Sequence, residues 1–216
     1  EKFGQEAWEG IKAEAGITND DFKQHEYYPD EQTVNIVLAA ASRLGVGAGE
    51  VMRIYGNYWT TFVKNNNLDQ LLHIMGDNLT DFLYNLDHLH QHLKDKWDRA
   101  SFPHFHCNKL PNGSLYLKYV SSRGSLLAPF VQGLVESIAK DFFKQQVNVI
   151  IAELHDTGAN FIVDVVASDD TTAPAVATTA ALAEAEMQSR QNAVLQQQRD
   201  SHASAILGAQ SLQASG

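Results

Sequence analysis

The apolar residues of this chain change their period once, and that change limits the folds open to it. Through about residue 100 they recur at helical spacing. Trp8, Ile11 and Ala15 form one set, and Val34, Val37, Leu38, Ala41 and Leu44 a second. Val51, Ile54, Tyr55, Trp59 and Phe62 form a third, within Gly47–Lys64. Short breaks fall at Tyr28-Pro29-Asp30, at Gly45–Gly49 and at Asn65-Asn66-Asn67. Beyond a Pro111-Asn112-Gly113 turn the period becomes two. Leu115 to Ser121 alternates, then Val147, Val149 and Ile151, then Phe161, Val163 and Val165, with a short fourth strand near Phe105. Pro129 can open a helix carrying Val131, Leu134, Val135 and Ile138. Helices followed by strands around one further helix define an α+β fold, with residues 1–100 helical and the second half mixed.

After Val166 the composition shifts. No aromatic follows Phe161, and Ala, Gln, Ser and Thr dominate. Such a segment buries too little apolar surface to offset the entropy of ordering. Residues 178–199 have helical propensity, but a heptad through Ala180, Met187 and Val194 meets Arg190 at its partner position. The expected organisation is a domain over 1–166 and a linker or weakly helical extension over 167–216.

The formal charge of −10 indicates no basic surface for nucleic acid or anionic lipid. No apolar run approaches the roughly 18 residues of a membrane helix, and no charged-then-apolar leader opens the chain. A single cysteine, Cys107, excludes an internal disulfide and fits a reducing compartment, so the expected location is cytoplasmic.

Nine histidines raise the question of a metal site. In Asn85-Leu86-Asp87-His88-Leu89-His90-Gln91-His92-Leu93, at about 100° per residue from Leu86, His90 falls near 40°, inside the arc of Phe82, Leu83, Leu89, Leu93 and Trp97. His88 and His92 fall outside it. A histidine on that face serves either as a core residue with a local hydrogen bond or as a metal ligand. His88 and His92 could share zinc with His104 or His106, although neither an H-E-x-x-H nor a C-x-x-C supports that reading. Further on, Tyr119-Val120-Ser121-Ser122-Arg123 spells Y-x-S-x-R. On a strand, alternate residues share a face, so two hydroxyls and a guanidinium would lie together. That group could pair with carboxylates, such as the two propionates at a porphyrin edge. It could equally be a polar strand end.

Taken together these elements resemble the H-NOX family, the haem nitric oxide/oxygen-binding domains of soluble guanylate cyclase and bacterial gas sensors. The likeness runs from Phe3 to Val166. It includes FGQEAWEGIK, LAAASRLGV, Gly56 in IYGNYW, NLDHLHQHL, Pro103, Cys107 and the Y-x-S-x-R. It implies a helical N-terminal subdomain and a C-terminal subdomain with an antiparallel sheet and helices, with haem between them. The haem would be non-covalent haem b with ferrous iron, with His90 as its proximal ligand, Tyr119, Ser121 and Arg123 on the propionates, and Pro103 against the porphyrin. It implies a sensor with no catalytic activity of its own. Nitric oxide would weaken the iron bond to His90 and move its helix. The output would be a guanylate cyclase catalytic region or a separate signalling protein, with a dimer through the C-terminal extension left open. Family members also carry a helix before the segment matching Glu1-Lys2-Phe3-Gly4. The sequence as given begins after it, so a more open distal pocket is expected.

Gas choice follows from pocket polarity, because bound oxygen gains from a hydrogen-bond donor and nitric oxide needs little. Oxygen-binding members use a distal tyrosine. Aligned through Gly133, that position is Phe130, which favours nitric oxide sensing with exclusion of oxygen, while carbon monoxide stays open as a ligand. Trp59, also distal by resemblance, carries an indole N–H. An oxygen-binding haem protein with Trp59 or Tyr58 as donor therefore stays open, as does a haem-free interaction module on the same fold. A haem peroxidase would need a distal acid/base pair, for which no candidate is well placed.

Overall fold

The computed structural model describes residues 4–18, 22–23, 26–66, 72–95 and 100–166. The chain divides into two compact units, whose described parts lie within Glu1–Val51 and Met52–Pro174. The expected extension over 167–216, with its heptad, lies outside the described residues, as does Trp97.

The first unit holds α1 (Gln5–Glu14), α2 (Asp30–Leu44) and the start of α3 (Ala48–Asn65). Ile11 and Ala15 pack against Ala39 and Ala40, with Trp8, Ile17, Ile36 and Val51 around them. The small side chains of α2 allow α1 to lie close. Gly45 ends α2 in the left-handed conformation, and Val46 N–H donates to Ala41 O at 3.1 Å. The break between α2 and α3 is shorter than the run of glycines suggests, since α3 already begins at Ala48.

The second unit holds the rest of α3, then α4 (Leu79–Lys94), β1 (His104–Lys109), β2 (Leu115–Val120), α5 (Ala128–Asp141), β3 (Gln146–His155) and β4 (Gly158–Val166). Asn78 caps α4, its side-chain oxygen accepting from Asp81 N–H at 3.0 Å. Pro129 sits in the first turn of α5, where a missing N–H is harmless. The strands form one antiparallel sheet in the order β1-β2-β4-β3. All four expected strands are present, and the one near Phe105 is a full strand.

Alternation decides the faces of this sheet. Phe105, Cys107, Leu115, Leu117, Tyr119, Phe161, Val163, Val149 and Ile151 are buried, as are Val131, Val135 and Ile138 of α5 and Phe82, Leu83 and Leu86 of α4. Helices α3 and α5 cross with their backbones in close approach. A Cβ on Gly56 would stand 2.1 Å from Phe130 O, and one on Gly133 would stand 2.1 Å from Arg53 O. Arg53 and Glu136 pair beside the crossing at 2.8 Å. The two glycines therefore fix the wall on which Trp59 and Phe130 stand.

A candidate haem pocket

Inside the second unit lies a cavity of about 360 Å³, of the size that small-molecule sites occupy. Its walls are almost wholly apolar, and His90, Pro103, Tyr119, Ser121, Arg123, Trp59 and Phe130 all line it. The seven residues that the resemblance placed around haem thus meet at one space.

His90 reaches the cavity because α4 turns its apolar arc inwards, as the helical wheel implies. Its ring makes tilted contacts with those of Phe102 and Phe105, at 5.6 and 5.5 Å. Its Nδ1 is 3.2 Å from Pro103 O. A carbonyl can only accept, so Nδ1 carries the proton and Nε2 keeps its lone pair. Burial holds the imidazole below its ordinary pKa, with the Pro103 hydrogen bond and Asp87 opposing. The result is a neutral, oriented imidazole, the form that ligates a metal. His88, His92, His104 and His106 are exposed. Among the described residues no cluster of three or more His, Cys, Asp or Glu could hold a metal ion, so the zinc reading has no support.

Tyr119, Ser121 and Arg123 also meet, but not as three alternate positions of a strand. β2 ends at Val120, and only Tyr119 obeys the alternation. Ser121 N–H donates to Thr157 O at 2.9 Å, and the chain then turns, with Gly124 N–H donating to Ser121 O at 3.0 Å. Gly124 has φ +59°, which a residue with a Cβ adopts only with strain. This turn brings Ser121 and Arg123 back to the cavity. The Ser121 Oγ accepts from Arg123 N–H at 3.1 Å, and the Arg123 guanidinium donates to Ser101 O at 3.3 Å.

The Tyr119 hydroxyl is the informative atom. It is buried, and no protein group meets it in good hydrogen-bond geometry. Burial raises its pKa, and the nearby Ser121 side chain and Arg123 charge offset part of that effect. A buried hydroxyl left unsatisfied costs about 1–3 kcal/mol. A ligand carboxylate at this edge of the cavity would remove that penalty. An apolar slot, a neutral imidazole with its lone pair available and a phenol, hydroxyl and guanidinium at one edge together fit haem.

Phe130 makes a tilted ring contact with Tyr55 at 5.2 Å. Tyr58, the alternative donor considered above, is exposed and does not line the cavity. Trp59 does. Sequence reasoning missed Asp87. Its Oδ1 accepts from Phe105 N–H at 3.1 Å and from His104 Nδ1 at 3.2 Å, and its Oδ2 accepts from Gln91 at 2.7 Å. Burial opposes its ionisation, but these hydrogen bonds and the His104 charge hold its pKa below the usual carboxylate value. Its place one turn before His90 was the available signal.

A protein with this α+β fold and this pocket is of the H-NOX class. The chain belongs to the Haem-NO-binding family, which it matches over residues 1–151. Soluble guanylate cyclase gcy-37 of Caenorhabditis elegans is 32% identical over 159 residues, 70% of this chain and 22% of that protein. The chain thus spans less than a quarter of the length of the curated cyclases it matches. An H-NOX protein from S. oneidensis in the Fe(II)NO state shares the fold at a TM-score of 0.66, with 19% identity, covering 77% of this chain and 92% of that one. An oxygen-binding H-NOX domain related to soluble guanylate cyclases, in its oxygen complex, aligns at 0.57 with 20% identity, covering 77% and 88%. Among the described residues no single helix is long and apolar enough to cross a membrane.

Proposed function

We propose that this chain is a haem-based sensor domain for nitric oxide in the cytoplasm, coupled to a guanylate cyclase output or a separate signalling partner. The observation that carries the reading is the buried Tyr119 hydroxyl, which no protein group meets in good hydrogen-bond geometry, beside Ser121 and Arg123 and in the same cavity as a neutral His90. His90 would hold the iron through Nε2 while Pro103 O fixes its tautomer. Tyr119, Ser121 and Arg123 would hold the propionates. The ferrous iron of haem b would supply the position at which a diatomic gas binds. Phe130, Val131 and Leu134 present apolar groups on that side, which favours nitric oxide over oxygen. A gas shifts an output only if it binds two conformations unequally, and attachment of α4 through His90 supplies two such states. Relationship to soluble guanylate cyclases supports the choice of output.

One observation favours oxygen instead: Trp59 brings an indole to the cavity wall. Titration of the haem-free protein with haem tests the common part of both readings. The unaltered chain should give a saturable complex. His90→Gly should lose the native ferrous spectrum, and Arg123→Ala should weaken retention roughly tenfold, the loss expected of one charge-assisted hydrogen bond. An unaltered ferrous spectrum in His90→Gly would rule out His90 as the ligand.

A further inference from the structure

The segment that orients His90 is three residues long and belongs to no helix or strand. Residues 101–103 lead directly into β1. Phe102 meets the imidazole ring at 5.6 Å, and Pro103 O accepts from Nδ1 at 3.2 Å. That hydrogen bond sets the tautomer, and it does so only while Pro103 O keeps its place. A stretch outside helix and sheet has no backbone ladder of its own, so its position rests on its other partners.

Ser101 ties this segment to the turn that follows β2. The Arg123 guanidinium donates through Nη1 to Ser101 O at 3.3 Å, and the Ser101 and Ser122 hydroxyls share a hydrogen bond of 2.7 Å. The turn is itself anchored. Ser121 N–H donates to Thr157 O, between β3 and β4, at 2.9 Å, and Arg123 N–H donates to Ser121 Oγ at 3.1 Å. A continuous path thus runs from Arg123 through Ser101, Phe102 and Pro103 to His90, and all five residues line the cavity. A guanidinium carries five N–H donors and no acceptor. One donor given to a carbonyl leaves others for a carboxylate, so Arg123 can hold Ser101 and a propionate together.

We propose that Arg123 is a positioning residue for His90 as well as a propionate group: by holding Ser101 O it keeps residues 101–103, and with them Pro103 O, in place on Nδ1, and the Ser101–Ser122 pair steadies the same joint. A hydrogen bond at Nδ1 makes Nε2 a stronger ligand. Loosening the joint therefore weakens the bond that Nε2 would make to iron. That effect on iron rests on the function proposed above; the hold on the imidazole does not.

Nitrogen-15 NMR of the haem-free chain reads the tautomer of the His90 ring. Arg123→Ala should raise the share protonated at Nε2 roughly fivefold. Ser101→Ala and Ser122→Ala, both at exposed positions, should each raise it roughly twofold, and the double variant no further, since the two hydroxyls make one bond. An unchanged tautomer in Arg123→Ala would overturn the role of Arg123, and unchanged or additive serine variants would overturn that of the pair. In the ferrous haem-loaded chain, resonance Raman spectroscopy reads the iron–histidine stretch. Arg123→Ala should lower its frequency. The unaltered chain loaded with haem dimethyl ester, which has no propionate charge, should keep it, because the guanidinium still holds Ser101. Equal lowering in both would show that Arg123 acts through the propionates alone, and no lowering in Arg123→Ala would show that the joint does not reach the iron bond; either result overturns the proposal. Failure to take up haem at all would refute the function proposed above, while the NMR spectra still decide the hold on His90.

Discussion

Tyr119 carries a phenol into the core with no protein group properly placed to receive its proton. Replacing it by Phe should therefore act in opposite directions with and without haem. Urea unfolding of the haem-free chain should show a gain of about 1 kcal/mol, the penalty of an unsatisfied hydroxyl removed. The haem-loaded chain should lose haem faster, measured by transfer to a competing haem scavenger. Destabilisation of both forms would mean that the hydroxyl serves the fold alone. Cys107 offers a second test at this scale. Burial pushes its thiol up to about 11 from 9.0. Above pH 9 the unfolded thiol releases a proton that the folded one keeps, so stability falls as pH rises between about 9 and 11. Tyr119, also raised, acts in the same direction. Cys107→Ala should flatten the alkaline slope, and a thiol reagent at neutral pH should leave Cys107 unmodified until the chain unfolds.

At the scale of elements, the crossing of α3 and α5 depends on two absent side chains. Gly→Ala inside a helix ordinarily stabilises by about 1 kcal/mol. At Gly133 the added methyl would stand against Arg53 O, so Gly133→Ala should instead destabilise by about 1–3 kcal/mol in urea unfolding. A gain would show that the helices separate easily. The legibility of these elements in the sequence followed their physics. Periodicity reported α4 and the direction of His90 correctly, because one face of that helix is uniformly apolar. It also reported β2, but it carried the alternation too far. The last two members of Y-x-S-x-R reach the cavity through a turn closed by Gly124 and anchored on Thr157, a residue far along the chain. Spacing alone cannot distinguish a strand from a turn that returns to the same place. The bracing by Asp87 was hidden for a related reason: two of its partners, His104 and Phe105, lie on β1, beyond a loop.

For the whole molecule, the change of period identified an α+β fold because helices and strands bury their faces at different spacings, and that property needs no partner to be visible. How the elements enclose a cavity was not legible, since it depends on side chains from α3, α4, β2 and α5 that meet only in three dimensions. Every described residue lining that cavity precedes Val166. A chain ended after Val166 should therefore retain haem with an unchanged ferrous spectrum, and loss of haem would assign part of the site to residues 167–216. The central claim is tested most directly by the absorption spectrum of the ferrous, haem-loaded protein, taken first without gas, then with nitric oxide, then in air. The account predicts a histidine-ligated, five-coordinate spectrum that changes with nitric oxide and stays the same in air. A stable oxygen complex would contradict the assigned gas and turn attention to Trp59, and a chain that holds no haem would contradict the sensor itself.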